Sequence, residues 1–313
     1  PAAASGWARG LIIVAALAVL AWANIIGVKS GARVAVALTI AKLIPLAFFV
    51  AVGVFYVDWS RLAMPEGQPI LTGSMTEAAL LLLFAYAGFE NTPAAAGEYR
   101  NPKRDVPFAM LTMITIITLT YIAVQAVALG TLPDLATAES PLARAAGEFA
   151  GPAAMLLLSV GAVVSIFGNL GNTTLIGPRY AYALADDGYG PAWLANVHPR
   201  FHTPANAIVL QTAIALVLAL SGSFVALAML SVIARLATYI GTCSALLVLR
   251  RRYADAPDAF GFPGDVALPI LGLALSLCFV AATSLNNLLA AGVALVVGAF
   301  VYLYRRKGLE ARR

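Results

Sequence analysis

Apolar residues run along this chain in long blocks, with the polar residues gathered between them. Nine blocks stand out, at about 11–28, 34–57, 76–98, 106–129, 153–178, 205–221, 224–249, 266–283 and 287–304. Most approach the roughly 20 residues that a helix needs to cross a ~30 Å hydrocarbon core. Neither a strand alternation nor a heptad seam competes with this pattern. The expectation is an all-α polytopic membrane protein, one transmembrane domain over residues 1–313. The third block differs in kind. It starts as an apolar run at Leu80, meets Gly88, Phe89, Glu90, Asn91 and Thr92, and resumes at Pro93. A carboxylate at that depth is costly in hydrocarbon, and irregular backbone is tolerated there only where it lines a cavity or is buried in protein. An interrupted span is a sequence pointer to a transporter's binding site.

Composition sharpens the class. The chain is 61% hydrophobic and 11% charged, against about 25% charged residues in a soluble domain. Its basic residues alternate from loop to loop. Lys29, Arg33, Arg100, Lys103, Arg104, Arg179, Arg200, Arg250, Arg251, Arg252, Arg305, Arg306, Lys307, Arg312 and Arg313 all fall on one side of the nine blocks. The other side holds Arg9, Arg61 and Arg144. The excess of Lys and Arg marks the cytoplasmic side, which puts the N-terminus of this chain outside and its C-terminus inside. The basic pI is thus a topology signal and not a nucleic-acid footprint. Two basic residues remain, Lys42 and Arg235, and both lie inside apolar blocks. With Glu90 they are ionisable groups at membrane depth, where such groups face a bundle interior or a wet cavity.

The break has its own chemistry. Ser74 or Thr76 can cap the outer half-helix, with Glu77 at its positive end. Gly88 permits unusual dihedrals, and Asn91 or Thr92 can cap the inner half, with Pro93 in its first turn. The gap frees carbonyls from about Phe84 to Ala87, which favour a cation such as an ammonium group. The competing interpretation is a glycine kink with Glu90 as a simple cap. Arg235 sits near the centre of its block and needs a partner, for which Glu90 is one nominee; a structural ion pair and a gating role both remain open. Ser165, Asn169, Asn172 and Thr173 share one helix face at i, i+4, i+7 and i+8. Interhelical hydrogen bonding explains that stripe as well as a pocket does.

Four stretches carry a resemblance. FAYAGFENTPAAAGEYRNPKRDVPFA and GPRYAYALADDGYGPAWLANVHPRFHTPANAI, with NIIGVKSG followed by AKLIPL and with RLATYIGTCSALLVLRRR, resemble the amino acid–polyamine–organocation (APC) superfamily of permeases. The resemblance implies a leucine-transporter-like fold of twelve spans with two inverted five-helix repeats, of which this chain would supply spans four to twelve. The chain opens at Pro1 without a signal peptide and is expected to be a fragment lacking the three preceding spans, whose Gly-rich break holds the substrate carboxylate in the family. By the same resemblance, Phe84, Ala85, Tyr86, Ala87 and Gly88 would form the substrate site. The carbonyls of Phe84, Ala85 and Ala87 would take the α-ammonium, and the Phe84 ring would lie over the substrate. Asn169, Asn172 and Thr173 would line the side-chain pocket. Glu90 would be a candidate for coupled protonation. Lys42 would stand where sodium sits in sodium-coupled relatives. Snorkelling is the alternative for Lys42, which lies ~12 Å beyond Val34 at 1.5 Å per residue.

The remaining motifs add little. Cys243 and Cys278 sit in apolar runs as small hydrophobes. His198 and His202 flank Pro199 in a loop without partner cysteines, Asp186 and Asp187 look like a solvated face, and the Asn172 sequon falls inside a span. No catalytic constellation, cofactor motif or metal set is visible. The expected function is alternating-access transport of an amino acid across the inner (cytoplasmic) membrane, sodium-independent and coupled to H+. Exchange of an amino acid for another amino acid or amine, and a non-transporting amino acid sensor, are the alternatives. The partners are an amino acid and the lipid bilayer, with no nucleic acid.

Overall fold

A computed structural model describes residues 6–27, 31–63, 73–92, 100–221, 224–253 and 266–310. Among these residues the structure is helical, without strands. The α-helices are α1 (Gly6–Ile26), α2 (Gly31–Gly53), α3 (Gly73–Ala85), α4 (Pro102–Thr131), α5 (Pro141–Asp186), α6 (Ala205–Ser221), α7 (Phe224–Arg252), α8 (Ala267–Ala281) and α9 (Leu285–Glu310). Six are long and apolar enough to cross a membrane: α1, α2, α4, α5, α7 and α9. Helices α6 and α8 are shorter apolar helices. Helix α3, with 13 residues, is ~20 Å long and cannot cross alone. Large apolar side chains stay outside, such as Leu111 at 64% and Phe300 at 70% exposure. A helix apolar all round suits a membrane span, where lipid covers what a soluble core would have to bury.

Two compact units make up the chain. The first contains Pro1–Glu66, Leu119–Ser221 and Phe300–Arg313; the second contains Gly67–Thr118 and Gly222–Ala299. In the first, Phe49 of α2, Val127 and Ala128 of α4, and Ala143, Ala145, Ala146, Ala154 and Leu158 of α5 form the core. Without a hydrophobic drive between helices in lipid, close packing has to hold them, and small residues permit it. A Cβ on Gly161 would meet the Pro45 ring at 2.6 Å, and one on Gly53 would meet Val127 at 2.4 Å. The Phe149 ring then packs 5.6 Å from Phe49 and 5.7 Å from Tyr56. Where α2 gives out, the Asp58 amide donates to the Gly130 carbonyl at 3.0 Å. Hydrogen bonds from the Ser60 hydroxyl and amide, with Arg61 alongside, hold the Asp58 carboxyl below the usual carboxylate range.

Helix α5 departs from its apolar block. It begins twelve residues before the block at 153, and Gly151 at φ 77° breaks it between two helical parts. Pro152 follows, and a residue before proline is disfavoured in helical geometry. In the second unit, Leu80 of α3 packs with Met229, Val232 and Leu236 of α7, and Phe84, Tyr239 and Phe279 close around them. Helix α3 already starts at Gly73, so Thr76 lies in its first turn and does not cap it. The Ser74 and Arg33 side chains, Lys29, and Pro93 with the inner half-helix lie outside the described residues, as do the side chains of Arg305, Arg306 and Lys307 and the whole of Arg312 and Arg313.

The α2–α5 contact gives a direct test. Gly161→Ala presses a methyl into a rigid proline ring, and overpacking of this kind costs about 1–3 kcal/mol. Gly10→Ala meets only Leu220 at 3.9 Å, an ordinary contact, and should be neutral or slightly stabilising. Thermal unfolding in detergent should separate the two. Equal tolerance would show that the α2–α5 approach is not close in solution.

Candidate functional site

Helix α3 ends by tightening. The Tyr86 amide donates to the Leu82 carbonyl at 3.0 Å, as in an α-helix, but the Ala87 amide reaches only to Phe84, at 3.1 Å. Gly88 follows at φ +121°, a backbone region open to glycine and strained for other residues. Residues 89–92 form a single 3-10 turn, in which the Asn91 amide donates to the Gly88 carbonyl at 3.1 Å. The chain therefore leaves helical geometry over three residues. Phe84 and Gly88 carbonyls each accept one local bond and keep a second lone pair.

Glu90 folds back over this break. Its Oε2 accepts the Gly88 amide at 2.8 Å, and its Oε1 pairs with Nη1 of Arg235 on α7. The two side chains are 23% and 29% exposed respectively, so the pair is largely removed from water. Arg235 lies eleven residues into α7, ~16 Å from its start, out of easy reach of either interface. Its Nε is buried and has no hydrogen-bond partner among the described residues. One turn further on, the Tyr239 ring stacks on Phe89 with centroids 6.0 Å apart. The Phe84 ring meets Phe224 edge-on at 5.8 Å, and the Tyr86 hydroxyl donates to Thr118 Oγ1 at 3.0 Å. Phe84, Tyr86 and Gly88 are thus each tied to a residue of the second unit.

Lys42 belongs to the first unit. It is half-buried and lines a cavity of about 570 Å³ together with Pro45, Glu139, Ser159, Gly161 and Ser165. The polar stripe of α5 does not act as one surface. Ser165 lines this cavity, whereas Asn169, Asn172 and Thr173 are exposed. Thr173 Oγ1 donates to the Asn169 carbonyl at 2.9 Å, and the Thr173 carbonyl accepts from Gln211 of α6 at 3.2 Å. Glu139 and Tyr239 escaped notice in the sequence. Glu139 sits in a loop with no local signature, and Tyr239 is one aromatic among many; its only signal is its place one turn after Arg235. His198 serves its own loop, with Nδ1 accepting the amides of Arg200 and Phe201 at 3.2 and 3.3 Å.

A family model described as amino acid permease matches residues 2–303. The serine/threonine exchanger SteT of Bacillus subtilis strain 168 is 32% identical over 301 residues, which cover 94% of this chain and 68% of that protein. The branched-chain amino acid permease BcaP of the same organism is 31% identical, with 90% of this chain and 61% of the relative covered. Its methylthioribose transporter is 30% identical at the same two coverages. The chain therefore spans about three fifths to two thirds of the length of these relatives.

The ion pair can be weighed by a double-mutant cycle on chemical unfolding in detergent. Glu90→Gln and Arg235→Gln should each destabilise, and the double variant should be less destabilised than their sum by about 1–3 kcal/mol. Strict additivity would mean that the two groups do not interact in the folded protein.

Proposed function

The chain belongs to the amino acid permease family of the APC superfamily, and from that premise we propose that it is the greater part of a secondary transporter that carries an amino acid across the cytoplasmic membrane by alternating access. The transporter is sodium-independent and coupled to H+, and its N-terminus in this chain faces outward. The observation that carries this reading is the Glu90–Arg235 pair closed over the break at Gly88. An ammonium group is drawn to carbonyls that lack helical partners, and the break between Phe84 and Gly88 is where the helical bonding lapses. Proton coupling follows from the carboxylate: a proton on Glu90 removes its attraction for Arg235 and loosens its hold on the Gly88 amide. The break is then free to rearrange. Deprotonation closes it again.

Charge balance argues for a neutral substrate. Glu90 is the one carboxylate at the break among the described residues, and Arg235 compensates it. A cationic side chain would find no spare negative charge there. Lys42 has the complementary task in the first unit, holding a fixed positive charge in the place of a sodium ion. Exchange is the second reading, favoured by the name of the 32% identical relative, a serine/threonine exchanger. On either reading the protein is a transporter and not an enzyme.

Uptake into proteoliposomes distinguishes the schemes. In symport, an inward pH gradient drives accumulation of a neutral amino acid into empty vesicles; in exchange, no uptake occurs until internal amino acid is supplied. Lys42→Ala should lower uptake by about tenfold or more, the equivalent of ~1.4 kcal/mol, while its melting temperature stays near the parent's; full flux would remove Lys42 from the mechanism. Glu90→Gln should flatten the dependence of uptake on external pH. A profile identical to the parent's would take Glu90 out of the coupling path, and lysine uptake as efficient as leucine uptake would end the neutral-substrate assignment.

A further inference from the structure

The first unit contains a second cavity, of about 470 Å³, that shares no lining residue with the one at Lys42. It opens where α1 ends and α6 begins, between Gly27 and the turn that leads into Ala205. Arg179, Arg200 and His202 line it, and none of the described residues that line it is a carboxylate. Among the described residues neither arginine forms an ion pair. The Arg200 guanidinium lies 5.4 Å over the Phe201 ring, a contact that orients the group without neutralising it. Leu175 and Ile208 supply an apolar wall.

The turn that presents these groups is tied down on both sides. Thr203 Oγ1 donates to the Ile25 carbonyl at the end of α1 at 2.6 Å. The His198 amide donates to the Thr203 carbonyl at 2.8 Å, and the His202 amide to the His198 carbonyl at 2.9 Å. His202 itself sits at φ 53°, a left-handed conformation that is uncommon for a residue other than glycine and that the surrounding bonds must sustain. This strained, cross-braced turn holds Arg200 and His202 at the mouth of the cavity.

We propose that this cavity binds a net-anionic phosphate group, that of an anionic phospholipid headgroup at the membrane boundary. Guanidinium forks match phosphate oxygens in planar, paired hydrogen bonds. Two of them facing one cavity, with no carboxylate to balance them, attract an anion and repel a cationic solute. The apolar wall distinguishes a lipid from a free ion, because it gives the glycerol and the first methylenes a surface on which to lie. The setting agrees. Helices α1 and α6 both have ends here, and basic groups next to a span are drawn to anionic lipid. The inference is independent of the transport reading, since it involves neither the break nor Lys42.

The test follows thermal unfolding of the full-length protein in detergent as dioctanoyl phosphatidylglycerol is added. The expected result is a saturable rise in melting temperature, absent with dioctanoyl phosphatidylcholine. Arg200→Gln and Arg179→Gln should each raise the midpoint of that titration about fivefold. Arg200 is exposed on a turn, so its variant should fold like the parent without lipid and serves as the primary arm. Arg179→Lys keeps the charge but not the fork and should fall between parent and Arg179→Gln. If inorganic phosphate alone gives the saturable, Arg200-dependent rise and the lipid adds nothing, the anion site stands and its occupant is a soluble phosphate. Midpoints unchanged in both glutamine variants, or no difference between the two lipids together with no effect of phosphate, would overturn the proposal.

Discussion

In hydrocarbon every backbone N–H and C=O has to find its partner inside the protein. Helix α3 stops at Ala85, well short of a full span, so the chain must satisfy its released groups some other way. It does so with a tightened turn, a glycine and a carboxylate. The Glu90 side chain takes up the Gly88 amide, and that commitment brings a negative charge to membrane depth. A lone carboxylate there would be several kcal/mol unfavourable, and an arginine alone no better. Glu90 and Arg235 therefore require each other: the break calls for the carboxylate, the carboxylate for the guanidinium, and the guanidinium fixes where α7 must pass. On the same helix as Arg235, Phe224 meets the Phe84 ring and Tyr239 stacks on Phe89.

Elsewhere the demand is met by removing side chains instead of adding charge. The α2–α5 packing is built on Gly161 against Pro45 and on a row of alanines at 143, 145 and 146. Pro45 lies inside α2 without an amide to donate, and Gly161 opposite leaves room for its ring. The kink at Gly151 serves a related end. It divides a 46-residue helix far longer than any bilayer, so that the short part before it can take a different direction from the span that follows.

Most of the architecture was legible in the alternation of apolar blocks and basic loops, because both follow from bilayer thickness and charge placement and not from fine packing. The Glu90–Arg235 pair was legible only as one nomination, because Lys42 offered a second cation at membrane depth and sequence position alone could not choose between them; the structure makes the pair with Arg235. The rest depended on tertiary detail. The stripe from Ser165 to Thr173 shares a helical face by spacing, yet Ser165 reaches a cavity while Asn169 and Thr173 bond within α5 and to α6. Spacing fixes the face of a helix and says nothing about what comes to cover each turn of it. The helix over 141–150 was hidden because it is not apolar enough to stand out, and the apolar block itself begins only after Gly151-Pro152. Glu139 carried no signal at all, since a carboxylate in a polar loop is ordinary until a neighbouring helix brings a lysine to the same cavity.

The two cavities of the first unit illustrate how charge sorts the functions of one helical unit. The space at Lys42 contains both signs, with Glu139 across from the ammonium's helix; such a space tolerates a zwitterion or a proton without a large change in net charge. Among the described residues, the space under Arg179 and Arg200 contains one sign only, which is the arrangement that favours an anion. A transport site must release what it binds, so its charges are kept near balance; an anchoring site is the stronger the further its charges are from balance. At the break the charges are balanced as well, because Glu90 and Arg235 form an ion pair.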